Sequence, residues 1–110
     1  MWFLESPRIM VAPLKDKKVQ VIGVSYKPNV ADTRETPAEL VIAELKGVGA
    51  DVTWHDDVVG KWHGQESSTL GGAEIAIVVT LHDVVDKKAV LTSAPYVFDT
   101  TGKLPGAKGL

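Results

Sequence analysis

The stretch Val19-Gln20-Val21-Ile22-Gly23-Val24-Ser25-Tyr26-Lys27-Pro28-Asn29-Val30-Ala31-Asp32-Thr33-Arg34-Glu35-Thr36-Pro37-Ala38-Glu39 decides the fold. Val19, Val21, Ile22 and Val24 are β-branched and nearly continuous, which suits a parallel strand covered on both faces. Pro28 excludes further ladder pairing, so the strand is expected to end near Tyr26. Thr36 is placed to cap a helix that has Pro37 at its first position, where a missing N–H costs nothing. Glu39, three residues beyond Thr36, completes the pattern of a capping box. The loop between strand and helix, about ten residues, is longer than usual for an α/β unit. In open α/β sheets ligands bind outside the carboxyl ends of strands. Lys27, just past the strand, and Arg34, close to the helix start, are therefore placed to meet an anion. Spacing alone equally allows Arg34 to pair with Asp32 or Glu35 while Lys27 is solvated.

Downstream, Ala38, Val41, Ile42 and Leu45 form the single apolar stripe of a helix that packs on a sheet, running to about Lys46. Gly47 and Gly49 suit left-handed caps. A strand follows at residues 51–55, ending in Asp56-Asp57. A dinucleotide fold places a ribose-binding acid at such a point, but both aspartates also suit a turn. Residues 58–74 hold at most a short edge strand, and Ser67 to Gly72 read as a turn. His63 has no second ligand at metal spacing, so no metal site is expected. Residues 74–80 form a second buried strand with Leu81-His82-Asp83 at its end. Asp83 is predicted to cap a short helix reaching Leu91, with Val84, Val85 and Val90 partly buried. His82 faces the same rim as Lys27, where a lone histidine is more often structural than catalytic. Residues 95–99 form the last strand.

These elements predict a single α/β domain with a Rossmann-like, open, mainly parallel sheet and helices on both faces. Residues 1–18 read as a lead-in segment interrupted by Pro7 and Pro13, with Trp2 and Phe3 packing onto the domain. Residues 19–104 form the domain, and 105–110 a poorly ordered Gly- and Pro-rich tail. The fingerprint G-x-G-x-x-G is absent, and Gly23 alone carries no such meaning. Phosphates would therefore be held by charged side chains, not by a glycine cradle.

The 110 residues suit one domain. A net charge of −2 gives no electrostatic reason to expect nucleic acid or an anionic membrane as partner. No apolar run approaches the ~20 residues needed to span a bilayer. The chain has no cysteine, which removes disulfides and thiol nucleophiles and fits a cytoplasmic protein.

The run Gly23-Val24-Ser25-Tyr26-Lys27-Pro28-Asn29-Val30-Ala31-Asp32-Thr33-Arg34-Glu35-Thr36 resembles the signature that opens the C-terminal domain of nucleotide-sugar 6-dehydrogenases, the UDP-glucose/GDP-mannose dehydrogenase family. Gly49-Ala50-Asp51-Val52, His55-Asp56, Gly72-Ala73-Glu74-Ile75, Thr80-x-His82 and Val97-Phe98-Asp99 extend the resemblance over nearly all of the chain after residue 18. The resemblance implies a UDP-sugar-binding domain. In such enzymes an N-terminal domain binds NAD and a central helical domain builds a homodimer. Hydride transfers through a cysteine-bound intermediate turn the sugar C6 alcohol into a carboxylate. Carried over by motif, Tyr26 and Lys27 would contact the nucleotide sugar, and Arg34 would reach toward the cofactor phosphates. An arginine often follows the closing-strand aspartate in this family. Here Thr100, Thr101 and Gly102 follow Asp99, so Lys103 is the stand-in, and lysine is not an equal replacement for a bidentate arginine. Without cysteine the chain is expected to catalyse nothing alone, and no residue in it is assigned a catalytic role. A stand-alone nucleotide-binding or regulatory module and a partner-docking domain are the alternatives.

Overall fold

In the computed structural model, which describes residues 14–104, 106, 108 and 109, β1 (Lys18–Ile22) is the second strand of a five-stranded sheet. The chain continues through α1 (Pro37–Gly47), β2 (Asp51–His55), a hairpin of β3 (Lys61–Trp62) and β4 (Gln65–Glu66), then β5 (Ile75–Val78), α2 (Lys87–Leu91), β6 (Tyr96–Asp99) and β7 (Lys108–Gly109). The sheet order is β2-β1-β5-β6-β7, and every pairing in it is parallel. The expected fold class is therefore the observed one. The lead-in residues 1–13, Trp2 and Phe3 among them, lie outside the described residues.

Alternation along β1 divides the core in two. Val19 and Val21 join Ala38 and Leu45 of α1, together with Trp54, Trp62 and Ile77, on one face. Ile22 joins Ala76, Val78, Val97, Leu104 and Val90 of α2 on the other. The helices thus cover opposite faces, which is why the central strands are apolar on both sides. Leu45, fully buried, contributes about 1.5–3 kcal/mol by that burial alone. On α1, Thr36 caps as expected, accepting from the Ala38 N–H at 3.2 Å. The capping box is not closed, because the Glu39 carboxylate turns to the His63 ring at 3.1 Å instead.

β1 ends at Ile22, short of the expected Tyr26, and Gly23 is the reason. Its φ is +84°, and a Cβ there would lie 1.9 Å from the Thr80 carbonyl oxygen. The backbone crosses the end of β5 at a distance only glycine permits. The glycine that reads as uninformative in the sequence is a fixed point of the fold.

The connection from β2 to β5 carries no helix among the described residues. It crosses the α2 face as an extended loop whose Leu70 packs against the second core cluster. A loop laid over a sheet brings backbone polar groups into a dry place. Gln20, buried on β1, meets them: its Nε2 donates to the Thr69 carbonyl at 2.9 Å, and its Oε1 accepts the Gly71 N–H at 2.9 Å. The edge strand expected within 58–68 is instead the separate β3–β4 hairpin. Trp62 anchors it edge-on against Trp54, ring centroids 5.9 Å apart.

Two further expectations are corrected. Asp86, not Asp83, caps α2, accepting from the Lys88 and Ala89 N–H groups, and Val84 is exposed. Asp83 is occupied elsewhere, as described below. Within the expected tail, 105–110, β7 pairs with β6 and so joins the sheet.

Gly23→Ala is expected to destabilise the protein by on the order of 3 kcal/mol or more, through positive-φ strain and collision with Thr80. Urea denaturation would measure it, and an unchanged midpoint would show that the crossing is looser than described.

Candidate functional site

Parallel pairing sets the carboxyl ends of β1, β2, β5 and β6 along one edge, and the strand order reverses between β1 and β5. Such a reversal opens the crevice where ligands of open α/β sheets bind. The loop of residues 24–36 rises from this point. Its base is Ser25, buried, whose carbonyl accepts the Thr36 hydroxyl at 3.2 Å and the Thr80 hydroxyl at 2.9 Å. The Ser25 hydroxyl donates to the Lys27 carbonyl at 2.8 Å, and the Tyr26 N–H to the Asp32 carbonyl at 2.6 Å. Asn29 takes a left-handed conformation, φ +69°, which asparagine tolerates. Its side chain forms a reciprocal pair with Asp83: Nδ2 donates to Oδ2 at 3.0 Å, and Oδ1 accepts the Asp83 N–H at 2.8 Å. This engagement is what removes Asp83 from helix capping.

Beneath the loop lies a dry polar centre. Asp56 is 2 % exposed. Its Oδ1 accepts the Val58 and Val59 N–H groups, both at 3.0 Å. Its Oδ2 accepts the Val24 N–H at 2.9 Å and faces His82 Nε2 at 2.9 Å. Of the two readings open for Asp56, turn-former and ribose acid, the turn is present, and the carboxylate is consumed inside the protein. His82, also 2 % exposed, receives the Asn29 N–H on Nδ1 at 2.7 Å. A ring nitrogen that accepts carries no proton, so the ring proton sits on Nε2 and points at Asp56.

Tyr26 and Lys27 are exposed on this loop, between the Ser25 and Asn29 anchors in the chain. Arg34 is also exposed but is gathered by Asp32, with Nε to Oδ1 at 3.0 Å and Nη2 to Oδ2 at 2.8 Å. The side-chain and backbone hydrogen bonds from Arg34 lower the Asp32 carboxyl to about 2. Lys103 is exposed on the turn after β6. Asp99 builds that turn, accepting the Thr101 N–H at 2.8 Å and hydroxyl at 2.6 Å on Oδ1, and the Leu104 N–H at 2.9 Å on Oδ2. Tyr26, Lys27 and Lys103 thus rise from loops on the same sheet edge, while Arg34 is bound within its own loop.

The cleft at the switch, about 260 Å³, is lined by Gly23, His55, Thr80 and His82 with Asp57 and Asp86. It contains none of the four predicted residues, and its carboxylates do not favour a diphosphate. A larger groove of about 500 Å³, beside α1 and β2, is lined by Trp54, Trp62 and His63 and also lacks them. The first strand-to-helix turn does not fit a dinucleotide pyrophosphate. Where such folds need glycine for the cofactor's approach, the space at Gly23 is filled by the Thr80 carbonyl. Sequence reasoning missed Asn29, Gln20 and the Asp56–His82 pair. Only Asn29 left a readable sign, as an Asn in a turn after Pro28.

The family model described as "UDP-glucose/GDP-mannose dehydrogenase family, UDP binding domain" matches residues 20–105. A UDP-N-acetyl-D-mannosamine dehydrogenase of Methanocaldococcus jannaschii is 37 % identical over 70 residues, covering 60 % of this chain and 16 % of the relative. A UDP-glucose 6-dehydrogenase of Rhizobium meliloti is 40 % identical over 43 residues, covering 39 % of this chain and 10 % of the relative. Among solved structures, a GDP-mannose dehydrogenase from Pseudomonas aeruginosa shares the fold with a TM-score of 0.71 at 18 % identity, over 96 % of this chain and 30 % of that one. A UDP-D-ManNAc dehydrogenase from Pyrococcus horikoshii does so with 0.67 at 19 % identity, over 97 % and 28 %. The chain therefore spans a small part of the length of its relatives.

Burial pushes the Asp99 carboxyl up, but hydrogen bonds from Thr101, Leu104 and Lys103 outweigh it and hold it below its ordinary 3.8. A carboxyl lowered on folding contributes stability above its unfolded value and loses it as pH falls through the folded one. Asp99→Asn is thus expected to cost on the order of 1 kcal/mol at neutral pH. It should also flatten the fall in urea stability below about pH 4. An acid limb identical to that of the parent chain would contradict this.

Proposed function

This chain belongs to the UDP-glucose/GDP-mannose dehydrogenase family as its UDP-binding domain, and from that membership we propose that its loop edge grips the nucleotide of a UDP-sugar. Lys27 meets the diphosphate, Tyr26 lies against the nucleotide sugar, and Lys103 supplies a second cation from the turn after β6. The observation that carries this reading is the presentation of Lys27. Its carbonyl is tied to Ser25, and the loop that bears it is tied to β5 through Asn29, so the ammonium stands exposed on a braced corner. A braced donor loses less entropy on binding than a free one.

Arg34 is proposed to face the phosphates of NAD held by another domain of the parent enzyme. Asp32 holds its guanidinium in one orientation through Nε and Nη2. The parent enzyme is proposed to be an NAD-dependent, cytoplasmic homodimer that oxidises the sugar C6 alcohol to a carboxylate, in the service of polysaccharide biosynthesis. In that reaction this chain binds and orients. It contains no cysteine and contributes no nucleophile of that kind.

UDP at about 100 times its dissociation constant is expected to stabilise the chain by roughly 2.7 kcal/mol, a melting shift of several degrees. Lys27→Ala should weaken UDP roughly tenfold by removing a charge-assisted contact, and Lys103→Ala should weaken it less. A shift with NAD and none with UDP would favour a stand-alone dinucleotide module instead.

A further inference from the structure

His82 is buried at the edge of the cleft at the switch and lies under the corner Lys27-Pro28-Asn29. Its Nδ1 receives the Asn29 N–H at 2.7 Å, on the far side of Pro28 from Lys27. On the near side, its Nε2 stands 3.5 Å from the Ser25 hydroxyl that donates to the Lys27 carbonyl. Pro28 fixes φ between these two anchors, so the corner has little freedom of its own. Asp56 determines which nitrogen is the acceptor. Its Oδ2, 2.9 Å away and buried, accepts a hydrogen bond from Nε2–H and leaves Nδ1 bare for Asn29. Three backbone N–H groups hold Asp56 in turn, so the ring orientation is set by the ends of β1 and β2.

We propose that His82 is a positioning residue for nucleotide binding: oriented by Asp56, it fixes the Lys27–Asn29 corner from below. The inference deepens the nucleotide reading above and rests on it. The loop's affinity is multiplied by the fraction of time it spends in the binding conformation, so releasing the corner weakens binding without touching any contact residue.

Two substitutions separate this role from simple packing. In His82→Asn the amide oxygen falls at the Nδ1 position and still accepts the Asn29 N–H, while the donor to Asp56 is lost. In His82→Gln the amide nitrogen falls at the Nε2 position and still donates to Asp56, while the acceptor for Asn29 is lost. The experiment measures UDP affinity by calorimetry and Asn29 amide hydrogen exchange by NMR on the full chain and both variants. His82→Asn is expected to keep UDP affinity within about twofold and to keep the Asn29 amide protected. His82→Gln should weaken UDP roughly tenfold and expose that amide. Equal loss of affinity and protection in both variants, or an unprotected Asn29 amide in the parent chain, overturns the proposal. A parent chain that binds no UDP removes the nucleotide reading alone. The contrast in Asn29 protection between the variants then decides whether His82 fixes the corner.

Discussion

One buried carboxylate holds the carboxyl edge of this sheet in register. Asp56 accepts backbone N–H groups from Val24, Val58 and Val59 and faces the His82 ring, so a single charge joins the ends of β1, β2 and β5. A charge removed from water is costly unless it is fully hydrogen-bonded. That cost is what makes the arrangement specific. A shifted loop would strand the carboxylate without donors, so competing loop conformations are penalised more than they would be above an apolar floor. The close crossing of Gly23 over Thr80 works alongside it, bringing β1 and β5 near enough for the Ser25 carbonyl to receive hydroxyls from both sides.

The consequence for binding is a division of labour by depth. Groups in the dry layer, Asp56, His82, Ser25, Thr36 and Thr80, are polar yet spent on one another. Groups in the wet layer, Tyr26, Lys27 and Lys103, have few internal partners and stand on what lies below. Arg34 differs, since Asp32 already engages two of its nitrogens. A surface ion pair of that kind contributes little stability, and its effect here is to orient the guanidinium within the loop. The family relationship is that of a UDP-binding domain; in the function proposed above, side chains and not a glycine cradle meet phosphate.

Much of the framework was legible from the chain. The β-branched run of β1, the Thr36-Pro37 helix start, the stripe of α1 and the bounds of β2 follow from local rules of period and capping. So did the strands of the second half and the placing of Lys27 past a strand end. The failures have a common cause. The early end of β1, the shift of the α2 cap from Asp83 to Asp86, and the path of the loop between β2 and β5 each depend on a partner far along the chain. Gly23 meets Thr80, Asp83 meets Asn29, and Gln20 meets Thr69 and Gly71.

The sequence by itself determined the main strands and helices, their order and the exposed cations, because helix and strand periodicity and capping act within a few residues. Only the tertiary structure decided that Asp56 and His82 share a proton-bearing contact, that Gly23 admits no side chain, and that Gln20 serves a crossing loop. Those depend on which backbone groups become dry, and dryness is a property of the packed sheet, not of any local stretch.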